Sequence, residues 1–376
     1  MEQFVVSARK YRPATFNSVV GQKHITSTLK NAIERNQLAH AYLFCGPRGV
    51  GKTTCARIFA KAINCLNPVG AEACNECESC RSFNEGRSMS IHELDAASNN
   101  SVEDIRNLIE QVRVIPQVGH YSVFIIDEVH MLSQQAFNAF LKTLEEPPKH
   151  AVFILATTEK HKIIPTILSR CQVYDFNRIR VEDSVSYLKH IADKEGVRYD
   201  EESLNLIAQK ADGGMRDAIT KLDTVLGYSD IVDVESVLNC LGISSYDSMT
   251  NLLNAIISQQ GNVCLSEIND IYMSGKDLKL YVKDISKYIL DLTKYYLTKS
   301  FDLTYIPQGN QQDASKLAKK AGIDFLLDML DSFNRLYQII KYEQTPVKDR
   351  TFYNTALHLA QFQDDNLDCY EDRAFT

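Results

Sequence analysis

Gly46-Pro47-Arg48-Gly49-Val50-Gly51-Lys52-Thr53 fits the spacing GxxxxGK[ST], and the chemistry this spacing allows is the grip of a polyphosphate. Glycines let the main chain curl so that several N–H groups and a helix amino terminus face phosphate oxygens. Lys52 then supplies an ammonium to the β and γ phosphates, and Thr53 a hydroxyl for magnesium. Farther on, Ile125-Ile126-Asp127-Glu128 sets two carboxylates at the end of an apolar run. Asp127 reads as the metal-side carboxylate and Glu128, one residue beyond, as the group that polarises an attacking water. The alternative is that both merely begin a surface loop; a phosphate loop upstream argues against it. Transfer of a phosphoryl group also calls for cations on the γ phosphate. Arg170 and Arg216 are candidates, and each reads equally well as a solvated or salt-bridged arginine.

A second constellation is Cys65, Cys74, Cys77 and Cys80, spaced C-x8-C-x2-C-x2-C inside a polar, glycine-containing stretch. Four thiolates this close suit tetrahedral zinc better than four unligated thiols. No neighbouring histidine or open position suggests catalysis, so a structural clip is expected, with the metal replacing a core that so small an insertion lacks. The other six cysteines, Cys45 and Cys171 among them, are scattered and read as small core residues.

The elements that must position these groups follow from hydrophobic period. Ala41–Cys45, Ser122–Ile126 and Val152–Ala156 are strand-length apolar runs separated by helix-length segments, the pattern of a parallel α/β sheet. The phosphate loop lies between the first run and a helical pattern through Ala56, Phe59 and Ile63. Ala136, Phe137, Phe140, Leu141 and Leu144 form another helical face, ended by Pro147 and Pro148. Beyond about residue 178 the strand signal fades. Leu188, Ile191, Leu204, Ile207, Ala208, Ala218 and Leu222 predict a small helical domain. Stripes at Ile285, Ile289, Leu292, Tyr296 and at Leu326, Met329, Phe333, Leu336, Ile340 predict a third, helical block, best read as packing core. The division expected is 1–178, 179–243, 244–365 and an acidic, frayed tail at 366–376.

At 376 residues and 44% hydrophobic composition the chain has material for two or three globular domains. A formal net charge of −7 argues against coating nucleic acid by bulk positive charge, so any DNA contact is local. No apolar run approaches the roughly 20 residues of a membrane span, and no signal-peptide core flanks Arg9, Lys10 and Arg12. A cytoplasmic protein is expected.

Taken together the motifs resemble the gamma/tau subunits of the bacterial DNA polymerase III clamp loader, within the AAA+ ATPases. The resemblance runs from Ala8-Arg9-Lys10-Tyr11-Arg12-Pro13 and Val20-Gly21-Gln22 through the phosphate loop, the four cysteines, Glu93-Leu94-Asp95-Ala96-Ala97-Ser98 and IIDEVHMLS. It continues through FNAFLKTLEEPP to Ser169-Arg170-Cys171 and Gly213-Gly214-Met215-Arg216-Asp217. Motifs cover roughly residues 8–220, and the cysteine insertion is the most discriminating.

The resemblance implies an α/β AAA+ domain with a parallel sheet, a small helical lid and an α-helical collar that oligomerises. It implies ATP, Mg2+ and Zn2+ as ligands. The phosphate-binding set is Gly46, Pro47, Arg48, Gly49, Val50, Gly51, Lys52, Thr53 and Thr54, with Tyr11, Arg12, Pro13, Val20 and Gly21 around the adenine. Arg170 is then an arginine finger reaching the ATP of an adjacent subunit, Arg216 the second sensor and Thr158 the first. The implied partners are other loader subunits, copies of the same chain, the sliding clamp and primer-template DNA. ATP binding would open the clamp and hydrolysis would time release.

Two departures stand out. Ser98-Asn99-Asn100-Ser101 and Ser133-Gln134-Gln135 carry no lysine or arginine, where the family faces DNA, so backbone and helix-dipole contacts are expected there instead. The sequence also stops soon after the collar, which leads to the expectation of a gamma-like short form or a piece of a longer chain, and leaves a polymerase-core contact open. Competing readings are a non-hydrolysing structural subunit, disfavoured by Lys52, Thr53, Asp127 and Glu128, and another AAA+ DNA motor, disfavoured by the cysteine insertion.

Overall fold

A computed structural model describes residues 6–243, 245–273, 277–342, 351–352, 354–356 and 358–360. The expected acidic tail at 366–376 lies outside these residues. The chain divides into two compact units, Met1–Ile231 and Val232–Thr376.

In the first unit, five strands form one sheet in the order β2-β3-β4-β1-β5, with every neighbouring pair parallel. They are β1 (Ala41–Cys45), β2 (Ile91–Asp95), β3 (Ser122–Asp127), β4 (Ala151–Thr157) and β5 (Gln172–Asp175). β1 and β4 are buried throughout and β3 in all but its last residue, as continuous apolar runs covered on both faces should be. The sequence reading finds these three and misses β2 and β5. Both lie at the sheet edges, where only alternate residues are covered, so IHELD and QVYD never form an apolar run.

Alternation along the strands splits the core in two. Tyr42, Phe44, Ile125 and Ile154 pack against Leu29 of α2 (Lys23–Glu34) and Ile58 and Phe59 of α3 (Lys52–Ile63). Leu43, Phe124, Ile126 and Phe153 pack on the other face against Ile105 and Leu108 of α5 (Val102–Val112) and Phe137 and Phe140 of α6 (Gln134–Glu145). A short α1 (Ser7–Lys10) precedes α2, and α4 (Glu78–Asn84) belongs to the cysteine insertion. α7 (Pro165–Leu168) lies between β4 and β5.

Register brings the chemistry together. Cys45 is level with Thr157 and Asp95 with Asp127. The strands therefore present the phosphate loop, Asp127-Glu128 and Thr158 from one carboxyl edge, where open parallel sheets place ligands. Three helices complete this unit: α8 (Val181–Glu195), α9 (Glu201–Lys210) and α10 (Met215–Tyr228). Leu188, Ile191, Leu204, Ile207, Ala218 and Leu222 are all buried on them.

The second unit is helical: α11 (Val234–Leu241), α12 (Tyr246–Ile257), α13 (Gly261–Met273), α14 (Leu278–Thr298) and α15 (Gln311–Tyr342). The stripes Ile285-Ile289-Leu292 and Leu326-Met329-Phe333-Leu336-Ile340 form its core, with Tyr296 partly buried beside them. Gly322, at φ +75°, breaks α15 into two stretches.

Candidate functional site

The phosphate loop curls between β1 and α3, and its glycines are required by geometry. Gly46 sits at φ +148°, and a Cβ there would meet the Phe176 carbonyl oxygen at 2.5 Å. Gly49, at φ +76°, lets the loop approach Gly214 and Arg216, each 3.4 Å from where its Cβ would be. Gly51 is the left-handed residue from which α3 starts, so the helix amino terminus opens onto the loop. Lys52, buried, donates from Nζ to the carbonyls of Gly46 and Pro47 at 2.8 and 2.7 Å. Burial lowers its pKa from the ordinary lysine value, with Glu128 and Asp127 pulling the other way.

A cavity of about 410 Å³ opens beside this loop. Of the residues singled out in the sequence, it is lined by Tyr11, Arg12, Pro13, Val20, Arg48 through Thr54, Asp127, Glu128 and Arg216. Gly46, Pro47, Gly21 and Thr158 are not among the lining residues. Sequence reasoning missed Asp95, Tyr187, Ile179 and Met215, which also line it. The signal for Asp95 was its position at a strand tip level with Asp127; Tyr187 carries no local signal.

The amino-terminal segment is tied down by specific polar contacts. Gln22, fully buried, donates to the Asn177 carbonyl at 2.7 Å and accepts from its N–H at 3.2 Å. Glu195 accepts from Lys10 Nζ at 2.7 Å and Tyr11 Oη at 2.6 Å, and Tyr187 Oη donates to the Tyr11 carbonyl at 2.5 Å. Arg12 is half-buried; burial, then the like charges of Arg57 and Arg216, lower its pKa. Arg12, Arg48, Lys52 and Arg216 thus share this cavity with the carboxylates of Asp95, Asp127 and Glu128.

At the strand tips, Thr53 Oγ1 donates to Asp127 Oδ2 at 2.6 Å. A hydroxyl and a carboxylate in contact beside the phosphate loop are a fitting donor set for Mg2+, an oxygen-seeking cation that takes few protein ligands. Glu128 adopts a left-handed backbone, φ +48°, uncommon for a residue with a side chain. Its Oε2 accepts from Thr158 N–H at 3.3 Å and Thr158 Oγ1 at 3.0 Å. His130, not singled out in the sequence, has Nδ1 at 3.4 Å from the same oxygen.

Arg170 does not line the cavity. Its guanidinium pairs with Glu145 Oε1 at 2.7 Å and donates to the Thr166 carbonyl at 2.7 Å.

The four cysteines converge. Their sulfurs all lie within 4.8 Å of one another. Individual separations are 3.4 Å for Cys65–Cys74 and 4.0 Å for both Cys65–Cys77 and Cys74–Cys80. A tetrahedron with metal–sulfur distances of about 2.3 Å has edges of about 3.8 Å, so these residues fit zinc. Main-chain N–H groups of Glu76 and Cys77 point at Cys74 Sγ and lower its pKa. At Cys77 burial works the other way, yet the N–H groups of Leu66 and Cys80 and the neighbouring thiols bring it down to about 6. Lys61, a buried cation of α3, reaches Asn75 Oδ1 of the insertion at 2.6 Å.

The family model for "DNA polymerase III, delta subunit" matches residues 21–180. That for the DNA polymerase III clamp loader subunit ATPase lid matches 185–230, and that for domain III of subunits gamma and tau matches 232–341. The chain is 42% identical to DNA polymerase III subunit tau of Bacillus subtilis, over 93% of this chain and 62% of that protein. It is 41% identical to subunit tau of Escherichia coli over 72% of this chain and 42% of that one. With subunit gamma of Buchnera aphidicola subsp. Baizongia pistaciae it shares 38% identity, over 73% of this chain and 75% of that one. The chain thus spans less than two thirds of the length of these tau subunits. Among solved structures, the RuvB Holliday junction branch migration motor of Thermotoga maritima aligns over 66% of this chain and 79% of its own at a TM-score of 0.47 and 19% identity.

Proposed function

The chain belongs to the gamma/tau subunit family of DNA polymerase III, and from that premise we propose that it is an ATP-hydrolysing motor subunit of the clamp loader. The observation that carries the reading is one cavity edge where Lys52, the Thr53–Asp127 pair at 2.6 Å and Glu128 stand together. Loop N–H groups and Lys52 hold the phosphates, and Tyr11, Arg12, Pro13, Val20 and Gly21 cradle the base. Thr53 and Asp127 would hold Mg2+, which when bound supplies charge neutralisation to the β and γ oxygens. Glu128 accepts a proton from water as the water oxygen attacks γ phosphorus and ADP departs on the bridging oxygen. Thr158 orients Glu128, and Arg216 offers its guanidinium to the γ phosphate of the same chain. Arg170 serves the site of an adjacent protomer.

The same reading assigns 1–178 to the AAA+ domain, 179–243 to a lid and 244–365 to an oligomerising collar. It also assigns a cytoplasmic setting, a structural zinc at Cys65, Cys74, Cys77 and Cys80, and as partners other loader subunits, the sliding clamp and primer-template DNA. No described helix is long and apolar enough to cross a membrane. The test is co-purification with candidate clamp and loader subunits, followed by ATPase measurement with and without clamp and primed DNA. The expected result is assembly and turnover stimulated by both. A chain that assembles but neither binds nor hydrolyses ATP overturns the motor role and leaves a structural subunit.

A further inference from the structure

We infer that His130 is a positioning residue for Glu128, bracing the carboxylate that activates water; the inference rests on the ATPase reading above. The imidazole lies just past the tip of β3, its side chain only 6% exposed. Both ring nitrogens are engaged. Nε2 stands 3.0 Å from Glu159 Oε2. Nδ1 lies 3.0 Å from Thr157 Oγ1, an oxygen that accepts from the Glu159 N–H at 3.0 Å. The ring is therefore pinned from two sides, by Thr157 at the end of β4 and by Glu159 two residues on. Its Nδ1 edge, so fixed, faces Glu128 Oε2 at 3.4 Å, and because a carboxylate only accepts, a ring proton is assigned to Nδ1, between Thr157 Oγ1 and Glu128.

Two further observations point the same way. The recorded contacts of the Glu128 carboxylate, from Thr158 N–H, Thr158 Oγ1 and His130, all fall on Oε2. Holding one oxygen leaves the other available to take the water proton. The left-handed backbone of Glu128 is the second. A strained conformation of this kind persists only where its surroundings determine it, and the Thr158–His130 grip is what meets the side chain it directs. Glu159, in turn, is shared with Lys162 Nζ at 2.8 Å, so the anchor of the ring is itself held on the surface.

The test is steady-state ATPase of the full chain and its variants, with nucleotide binding and thermal melting measured alongside. Glu128→Gln is expected to abolish turnover and keep ATP binding. His130→Ala should lower kcat roughly 10- to 100-fold, the scale of a misplaced reacting group, with KM for ATP little changed. His130→Asn, which keeps an amide near the Nδ1 position, should recover part of the loss, and His130→Gln, which reaches only toward Glu159, should recover less. Glu159→Ala, on a partly exposed side chain, should lower kcat in the same direction without touching Glu128. Turnover that depends on Glu128 but is unaffected by both His130→Ala and Glu159→Ala overturns the inference alone. So does a loss that the Asn and Gln variants share equally and that follows melting temperature. Turnover indifferent to Glu128→Gln overturns the functional reading and this inference with it.

Discussion

At Lys52 two electrostatic effects oppose each other: burial disfavours the ammonium, and Glu128 and Asp127 favour it. The nearby carboxylates and the Gly46 and Pro47 carbonyls let a buried cation stay charged, which is the form a triphosphate needs. Lys52→Ala removes the ammonium that the loop brings to the phosphates. At about 1.5–3 kcal/mol for each charge-assisted bond lost, ATP affinity should fall at least tenfold to a hundredfold. Calorimetric titration with ATP and magnesium checks this, and unchanged affinity would refute the assignment. These residues were legible in sequence because each role is local: a glycine pattern, a lysine, and two carboxylates directly after an apolar run. His130 was not legible. An isolated histidine three residues past Asp127 gives no sign of itself until β4 brings Thr157 and Glu159, nearly thirty residues away, alongside it.

Among the elements, edge position decides what sequence reveals. β1, β3 and β4 announce themselves because both faces are covered, whereas β2 and β5 alternate and were missed, and with β2 went the placement of Asp95. The amino-terminal clasp was legible only as a motif; what holds it is Glu195, whose carboxyl Lys10 and Tyr11 keep below the usual range. A depressed folded-state pKa means that this contact stabilises fully above the ordinary glutamate pKa and is lost as pH falls through the folded value. Protection from hydrogen exchange at residues 7–12 should therefore fall as pH drops below the ordinary glutamate range, ahead of protection in β1; simultaneous loss would show that the clasp has no separate titration. The cysteine insertion makes the opposite case, since its own buried cluster is made of its ligands: Cys65, Cys77 and Cys80, flanked by Ala73 and Cys74. Removal of zinc by a chelator should release stoichiometric metal and raise exchange through residues 65–84. ATP binding should survive, because the loop is anchored at the other end of α3. Retained protection after metal loss would show that the clip stands without zinc.

For the molecule as a whole, the decisive question is where Arg170 acts. Within one chain its guanidinium is held by Glu145 and the Thr166 carbonyl and does not line the cavity, while Arg216 does. On the proposed reading, an arginine that serves phosphoryl transfer from such a position serves a neighbour, and the site would be complete only in an oligomer. Arg170→Ala should leave ATP binding by the isolated chain at its wild-type value and lower turnover in the assembled loader by roughly 10³-fold, the scale such arginines supply. A mixing experiment separates action within a chain from action across an interface. Chains carrying Lys52→Ala bind ATP poorly but keep Arg170; chains carrying Arg170→Ala bind ATP but offer no finger. Assembled together, a Lys52→Ala protomer beside an Arg170→Ala protomer restores one complete site, and turnover should rise above that of either variant alone. If the mixture does no better than its parts while both variants still assemble, Arg170 does not reach across the interface and the motor has to be rebuilt around Arg216 alone.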